Sequence, residues 1–189
     1  MAMQSFAQVP MDAMRKMFAG SAVSMECSYK TEIRGVEVTA NSSLVVQGGM
    51  YKMTGNGLEI YCNGNSVWTV DEAASEVVIE SCDAQGRDYA ANPALMLADI
   101  DILFKVTEKE ALAAGMESYA LEAAVPCGVS RADLIVASDG KIVKGTFVLE
   151  DGHVLSVDVV SMKKTEEKPA SFFSPGRKFS SDWIVTDLR

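Results

Sequence analysis

Four cysteines and one histidine are the residues of this 189-residue chain best suited to nucleophilic, redox or metal chemistry. Cys27, Cys62, Cys82 and Cys127 form no C-x-x-C pair, and His153 stands beside Gly152. A zinc site needs Cys and His ligands in closer clusters, so no metal site is expected. His153 reads as a turn residue rather than a base or a ligand. Two disulfides would suit an exported protein, whereas in a reducing compartment the cysteines would be buried thiols. If the strands ending in Cys62 and Cys82 flank a third, the two residues lie two strand spacings apart, roughly 9–10 Å. That is too far for a disulfide, so this pair is expected to be unbonded.

Other chemistry is thinly supported. There is no G-x-x-x-x-G-K-[ST] or G-x-G-x-x-G phosphate loop and no G-x-S-x-G elbow around any serine. Glu108 and Glu110 fall in an expected surface loop. Two-carboxylate glycoside hydrolysis stays open only as an alternative. No enzymatic activity and no cofactor are expected.

The elements that would position any site are mostly strands. Leu58 and Ile60, Trp68 and Val70, and Val77 and Ile79 alternate with polar neighbours, the period of a sheet with one apolar face. Asn63-Gly64-Asn65 and Glu72 to Ser75 join them as turns. Similar patterns run over Val23 to Arg34, Val36 to Val46 and Met50 to Thr54. Later ones cover Ile102 to Thr107, Ser118 to Val125, Ala132 to Ala137, Ile142 to Glu150 and His153 to Met162. Gly48-Gly49, Asn56-Gly57, Asp139-Gly140 and Asp151-Gly152 are turns between them. Glu108 to Gly115 is expected as a turn-like helical piece or loop, and Lys163 to Lys168 as a solvated loop. The tail Trp183-Ile184-Val185 is expected as an edge strand.

Two helices are expected. Pro10 to Gly20 carries Met11, Met14, Met17 and Phe18 at helical spacing. Asn92-Pro93 opens a short helix containing Leu95, Met96, Leu97 and Ile100. The fold class is mainly β (α+β): a single large curled antiparallel sheet forming an incomplete barrel, because a sheet this long must curl or split. A helical lid would cover its apolar cavity. Residues 10–189 are read as one domain, and residues 1–9 as disordered or as the remnant of a signal peptide. Ser5-Phe6-Ala7 before Gln8 fits a small-x-small cleavage pattern.

Composition narrows the partners. The net charge of −9 argues against nucleic acid, whose binding needs Lys and Arg to neutralise phosphates. It also argues against simple adhesion to anionic membranes. No segment reaches the ~20 apolar residues of a membrane span. Eleven methionines either fill gaps in the core or line a surface that adapts to varied apolar ligands.

The stretch Ile60-Tyr61-Cys62-Asn63-Gly64-Asn65-Ser66-Val67-Trp68-Thr69-Val70-Asp71 resembles the meander of the LolA-type periplasmic lipoprotein carriers. The helix at Asn92-Pro93-Ala94-Leu95-Met96-Leu97, the two Asp-Gly hairpins, and Phe172-Phe173-Ser174-Pro175 through Trp183 to Arg189 follow in that family's order. The family's Arg-Pro-x-x-Phe element is absent from Val46 to Met53, so no residue is carried over for it. Val70 stands where the family has an aromatic.

The resemblance implies a non-catalytic, monomeric periplasmic carrier of lipoprotein acyl chains or other lipid. Its partners would be inner- and outer-membrane lipoprotein-sorting proteins. It implies a cavity lined by Leu44, Val46, Tyr51, Met53, Leu58, Ile60, Trp68, Val70, Val77 and Ile79, under a lid of Met14, Met17, Phe18, Leu95 and Met96. Which sheet face is concave is not readable from the pattern. An envelope interaction module built on the same half-barrel is the alternative.

Overall fold

Turn chemistry sets the strand lengths. Asn56 and Gly57 both adopt positive φ, 53° and 80°, as a tight hairpin between two twisted strands demands. In the computed structural model, which describes residues 9–33, 36–82, 96–97 and 99–189, such turns link a long meander. Its first half is β1 (Ala22–Ile33), β2 (Val36–Gln47), β3 (Met50–Gly55), β4 (Leu58–Cys62), β5 (Ser66–Asp71) and β6 (Glu76–Ser81). Its second half is β7 (Phe104–Ala111), β8 (Met116–Ala123), β9 (Val129–Ala137), β10 (Ile142–Leu149) and β11 (Val154–Thr165). The last strand is β12 (Ile184–Asp187). Among the described residues, the helices besides helical Met96 and Leu97 are α1 (Val9–Phe18) and the single turn α2 (Ile100–Leu103).

The twelve strands among the described residues belong to one sheet, in the order β12-β6-β5-β4-β3-β2-β1-β11-β10-β9-β8-β7. Every neighbouring pair is antiparallel except β12 with β6, which is parallel. The edges β12 and β7 do not pair, so the sheet curls without closing. Register shifts at Glu26/Cys27, Val106/Glu108, Ile142/Lys144 and Val148/Leu149 add the local bends by which a long sheet coils. The expected open, curled, mainly β architecture is the one found.

Three boundaries differ from the sequence reading. The strand expected to begin at Ile102 starts at Phe104, because residues 100–103 form α2. The turn-like helical piece or loop expected over Glu108 to Gly115 is strand β7 as far as Ala111, followed by a 3-10 turn at Ala113–Gly115. β7 is an edge strand with outward Lys105, Glu108, Lys109 and Glu110, and charge on an edge blocks pairing with other chains. The same charges imitate a loop in the sequence. Lys163, Lys164 and Thr165, expected in a loop, extend β11. The helix expected from Asn92 lies outside the described residues, apart from Met96 and Leu97, which are helical.

The main core sits on one face of the curl, where α1 covers β1 and β9. Met14, Val23, Leu103 and Val136 are fully buried there. Gly140 lets the helix come this close. Its φ is +84°, and a Cβ would lie 2.4 Å from the carbonyl carbon of Ala13. Lys164 Nζ donates to the carbonyls of Lys16 and Ala19 (3.1 and 3.4 Å), satisfying the last turn of α1. Arg15 forms an ion pair with Asp101, which ties α1 to α2.

Candidate functional site

Strand register decides which side chains share a face. Leu44 pairs with Met53, and Met53 with Ile60. In the next row Val46 pairs with Tyr51, and Tyr51 with Cys62. These side chains belong to the main core, where Val46, Tyr51 and Cys62 are buried. Met53 and Ile60 pack against that core but stay half-buried. Leu58, two residues before Ile60, lies on the same face and is also half-buried.

Across the sheet, Phe147, Leu149, Val157 and Val159 are likewise half-buried against the core. Met25 and Cys27 line the middle of the face and are buried. From α1 come buried Met14 and the partly buried Met17 and Phe18; Met96 joins them. Leu95 lies outside the described residues. The result is an apolar face that packs against α1 at β1 and β9 and stays half-buried at Met53, Leu58, Ile60, Phe147, Leu149, Val157 and Val159.

The other four expected lining residues lie on the opposite face. Tyr61 pairs with Trp68, Trp68 with Ile79, and Val70 with Val77. These residues form a second, smaller core, with Tyr61, Val70, Val77 and Ile79 buried and Trp68, Phe179 and Trp183 packed on them. The structure therefore brings six of the ten together and separates Trp68, Val70, Val77 and Ile79 from them. On β5 it is Val67, not Trp68, that faces the main core.

The second core is closed by the chain's own C-terminal segment. Phe179 and Trp183 rings lie 5.0 Å apart, and the Arg177 guanidinium sits 4.7 Å from the Trp183 ring while ion-paired to Glu72. Such cation–aromatic contacts add about 0.5–1 kcal/mol at exposed sites. Lys52 Nζ lies 4.8 Å above the Tyr61 ring and 5.7 Å from Phe172. Gln47 clasps Lys168 twice, its amide donating to the Lys168 carbonyl (3.0 Å) and accepting from the Lys168 N–H (2.7 Å). Beyond β12, Leu188 N–H donates to the Ile79 carbonyl (2.8 Å), and Arg189 reaches Ser66 Oγ (3.3 Å).

Electrostatics favour neutral groups in both cores. Burial, then the hydrogen bond to Glu59 (2.8 Å), pushes the Tyr61 hydroxyl up to about 12. Burial, then the bond to Glu117, raises the Tyr119 hydroxyl above its ordinary value. Burial pushes the Cys62 thiol up to about 12 and also raises Cys27. Thiols held protonated are poor nucleophiles and poor metal ligands.

The polar chemistry lies elsewhere. An open groove of about 680 Å³ is lined by Glu108, Glu110, Arg131, Asp133 and Lys144, among others. Asp133 is bonded to Arg131 at 2.9 Å, and the charges of Glu108 and Glu122 also favour protonated Arg131. Glu108 and Glu110 are exposed, unlike the desolvated carboxyl that acts as a general acid. His153 lies at the β10–β11 hairpin, its N–H and Nδ1 each 3.0 Å from an Asp151 carboxylate oxygen.

The expected separation of Cys62 and Cys82 is overturned: their sulfurs lie 3.6 Å apart. The β4–β5 hairpin narrows where Asn63 N–H bonds the Ser66 carbonyl (3.3 Å), and Cys82 N–H bonds Asn65 (2.8 Å) at the same turn. Cys82 thus packs at the mouth of the hairpin, past the end of β6, rather than two strands away. The sequence held a signal for this. Counting from the Asn63-Gly64-Asn65 turn places Cys62 just before it and Cys82 opposite it.

No family model and no curated protein matches the chain in sequence. Solved structures do. An uncharacterized conserved protein from Thermus thermophilus superposes with a TM-score of 0.58 over 96% of this chain and 98% of that one, at 13% identity. A LolA superfamily protein from Nitrosomonas europaea aligns at 0.49 over 90% and 98%, at 14% identity. A putative outer membrane lipoprotein-sorting protein domain from Vibrio parahaemolyticus aligns at 0.46 over 87% and 95%, at 9% identity. The likeness to the Thermus protein shows a shared fold.

Proposed function

We propose that this chain is a non-catalytic carrier of the periplasm that holds acyl chains of a lipoprotein, or another lipid, against its concave apolar face. One observation carries the reading: Met53, Leu58, Ile60, Phe147, Leu149, Val157 and Val159 are half-buried on that face, beside a lid helix that leaves them incompletely covered. Each methylene moved from water onto such a surface contributes about 0.8 kcal/mol. A carrier must also release its cargo, and a site that is only part-covered limits affinity in the required sense. The site is Leu44, Val46, Tyr51, Met53, Leu58 and Ile60, under Met14, Met17, Phe18, Leu95 and Met96, within a domain spanning residues 10–189. Donor and acceptor proteins of lipoprotein sorting would be its partners, with the carrier acting as a monomer.

The test is uptake of an environment-sensitive fluorescent fatty acid and of a triacylated lipopeptide. Ile60→Glu places a charge on the apolar face and should weaken uptake by about tenfold or more, with the circular dichroism unchanged. Val185→Lys, on the exposed outer strand, should leave uptake as it was. Failure of the native protein to take up either probe would sink the carrier reading. The alternative, an envelope interaction module, draws on the exposed Ile184 and Val185 of edge strand β12. That reading expects Val185→Lys to abolish partner binding while Ile60→Glu does not.

A further inference from the structure

We propose that Cys62 and Cys82 form a redox-active pair that closes to an intramolecular disulfide, fastening the end of β4 to the end of β6. The geometry is already near the bonded state. The two sulfurs are in contact at 3.6 Å, and closing that gap to the ~2.05 Å of a disulfide bond is within reach of side-chain rotation. Both residues are held by backbone that need not move: Cys62 ends β4, paired with Val67 and Tyr51, and Cys82 N–H is anchored on Asn65 (2.8 Å).

The pair is asymmetric in a way that orders the chemistry. Cys62 is fully buried, whereas Cys82 is partly exposed. Cys82, as thiolate, attacks one sulfur of a small-molecule or protein disulfide, forming a mixed disulfide and expelling one thiol of the oxidant. Cys62, placed in contact with the Cys82 sulfur at 3.6 Å, then attacks it, and its proton passes to the departing sulfur, which leaves as the second thiol; contact geometry offsets the weak acidity of the buried thiol. The protein loses two electrons and two protons, and the oxidant disulfide takes them up as two thiols. Cys27 and Cys127 are buried, and the Cys127 sulfhydryl donates to the Val129 carbonyl at 3.3 Å, so neither competes.

The test uses the full chain, equilibrated with oxidised glutathione, then denatured, alkylated and peptide-mapped. Expected are the loss of two of the four thiols, a mass decrease of two hydrogens and a linked pair of peptides containing Cys62 and Cys82. Tm should rise by roughly 5–10 °C, since the bond closes a short loop in the unfolded chain. Cys27→Ser and Cys127→Ser should leave this unchanged, and Cys82→Ser should abolish it without unfolding the protein. Cys62 and Cys82 both remaining alkylatable, a glutathione adduct persisting on Cys82, or a bond involving Cys27 or Cys127 would each overturn the proposal. The experiment needs no lipid, so its result is independent of the carrier reading.

Discussion

The β3–β6 meander is apolar on both faces, yet the two faces end in opposite relations to their surroundings. On the face of the main core, Met53, Leu58 and Ile60 stay half-buried. On the opposite face, Tyr61, Trp68, Val70, Val77 and Ile79 are capped by Phe179 and Trp183 from the chain's own C-terminal segment. Apolarity alone therefore does not distinguish the two faces. What distinguishes them is how far the described residues that pack on each face bury it. On the self-covered face the rings of Phe179 and Trp183 and the Arg177 guanidinium make fixed contacts that use their shape. On the other face Met53, Leu58 and Ile60 stay half-buried beside the buried Tyr51.

The largest way to break this contrast is at the lid. Gly140→Ala should destabilise the protein by about 3 kcal/mol, because it combines a positive φ with a clash against helix backbone. A chemical denaturation curve would show the fall, and the Trp68–Trp183 fluorescence should persist to the main transition. If stability is unchanged, α1 is not seated on the β9–β10 turn. Trp183→Ala comes next, at about 1–3 kcal/mol for a half-buried aromatic. It should loosen the convex cluster and leave fatty-acid uptake intact; lost uptake would mean that the two faces are coupled.

A subtler contrast lies in pH. The Tyr61 hydroxyl is held up to about 12, against an ordinary 10.0. The folded protein thus keeps a proton that the unfolded chain has lost. The associated stability is full below pH 10 and is lost as pH rises toward about 12. Tyr61→Phe should shrink the drop in denaturation midpoint between pH of about 9 and about 11. An unchanged drop would assign it to other groups. The smallest effect belongs to the polar groove. Arg131→Gln breaks an exposed ion pair with Asp133 and should leave the denaturation midpoint nearly unchanged. A larger loss would show that the groove is not merely solvated surface.

Much of the sheet was legible because period-2 alternation and Asn/Asp-Gly turns are local signals. Strands β2 to β6 and β10 fall close to where the residues place them. The choice of face was not legible. Alternation gives the phase of Leu58 and Ile60 against Trp68 and Val70 within each strand, but not which phase is concave. That depends on Phe179 and Trp183, distant in sequence from the surface they cover. β7 was obscured because an edge strand carries charges that resemble those of a loop. The Cys62–Cys82 contact is not legible from strand spacing, because the chain narrows at the hairpin mouth, where Cys82 N–H bonds Asn65.

The parallel strand β12 closes a long circuit. Ile184 meets Glu76, so the chain between residues 76 and 184 must be gathered before this ladder can form. Hairpins of the meander close over turns of a few residues, on the order of microseconds, whereas long-range pairing waits on loop-closure entropy. The clasp over Trp68 and Ile79 is thus the last stitch of folding and the first to slip. Its amides, from Val77 to Ile79 and from Ile184 to Leu188, should trade hydrogen for deuterium ahead of those in β1 and β11, although all belong to one continuous sheet.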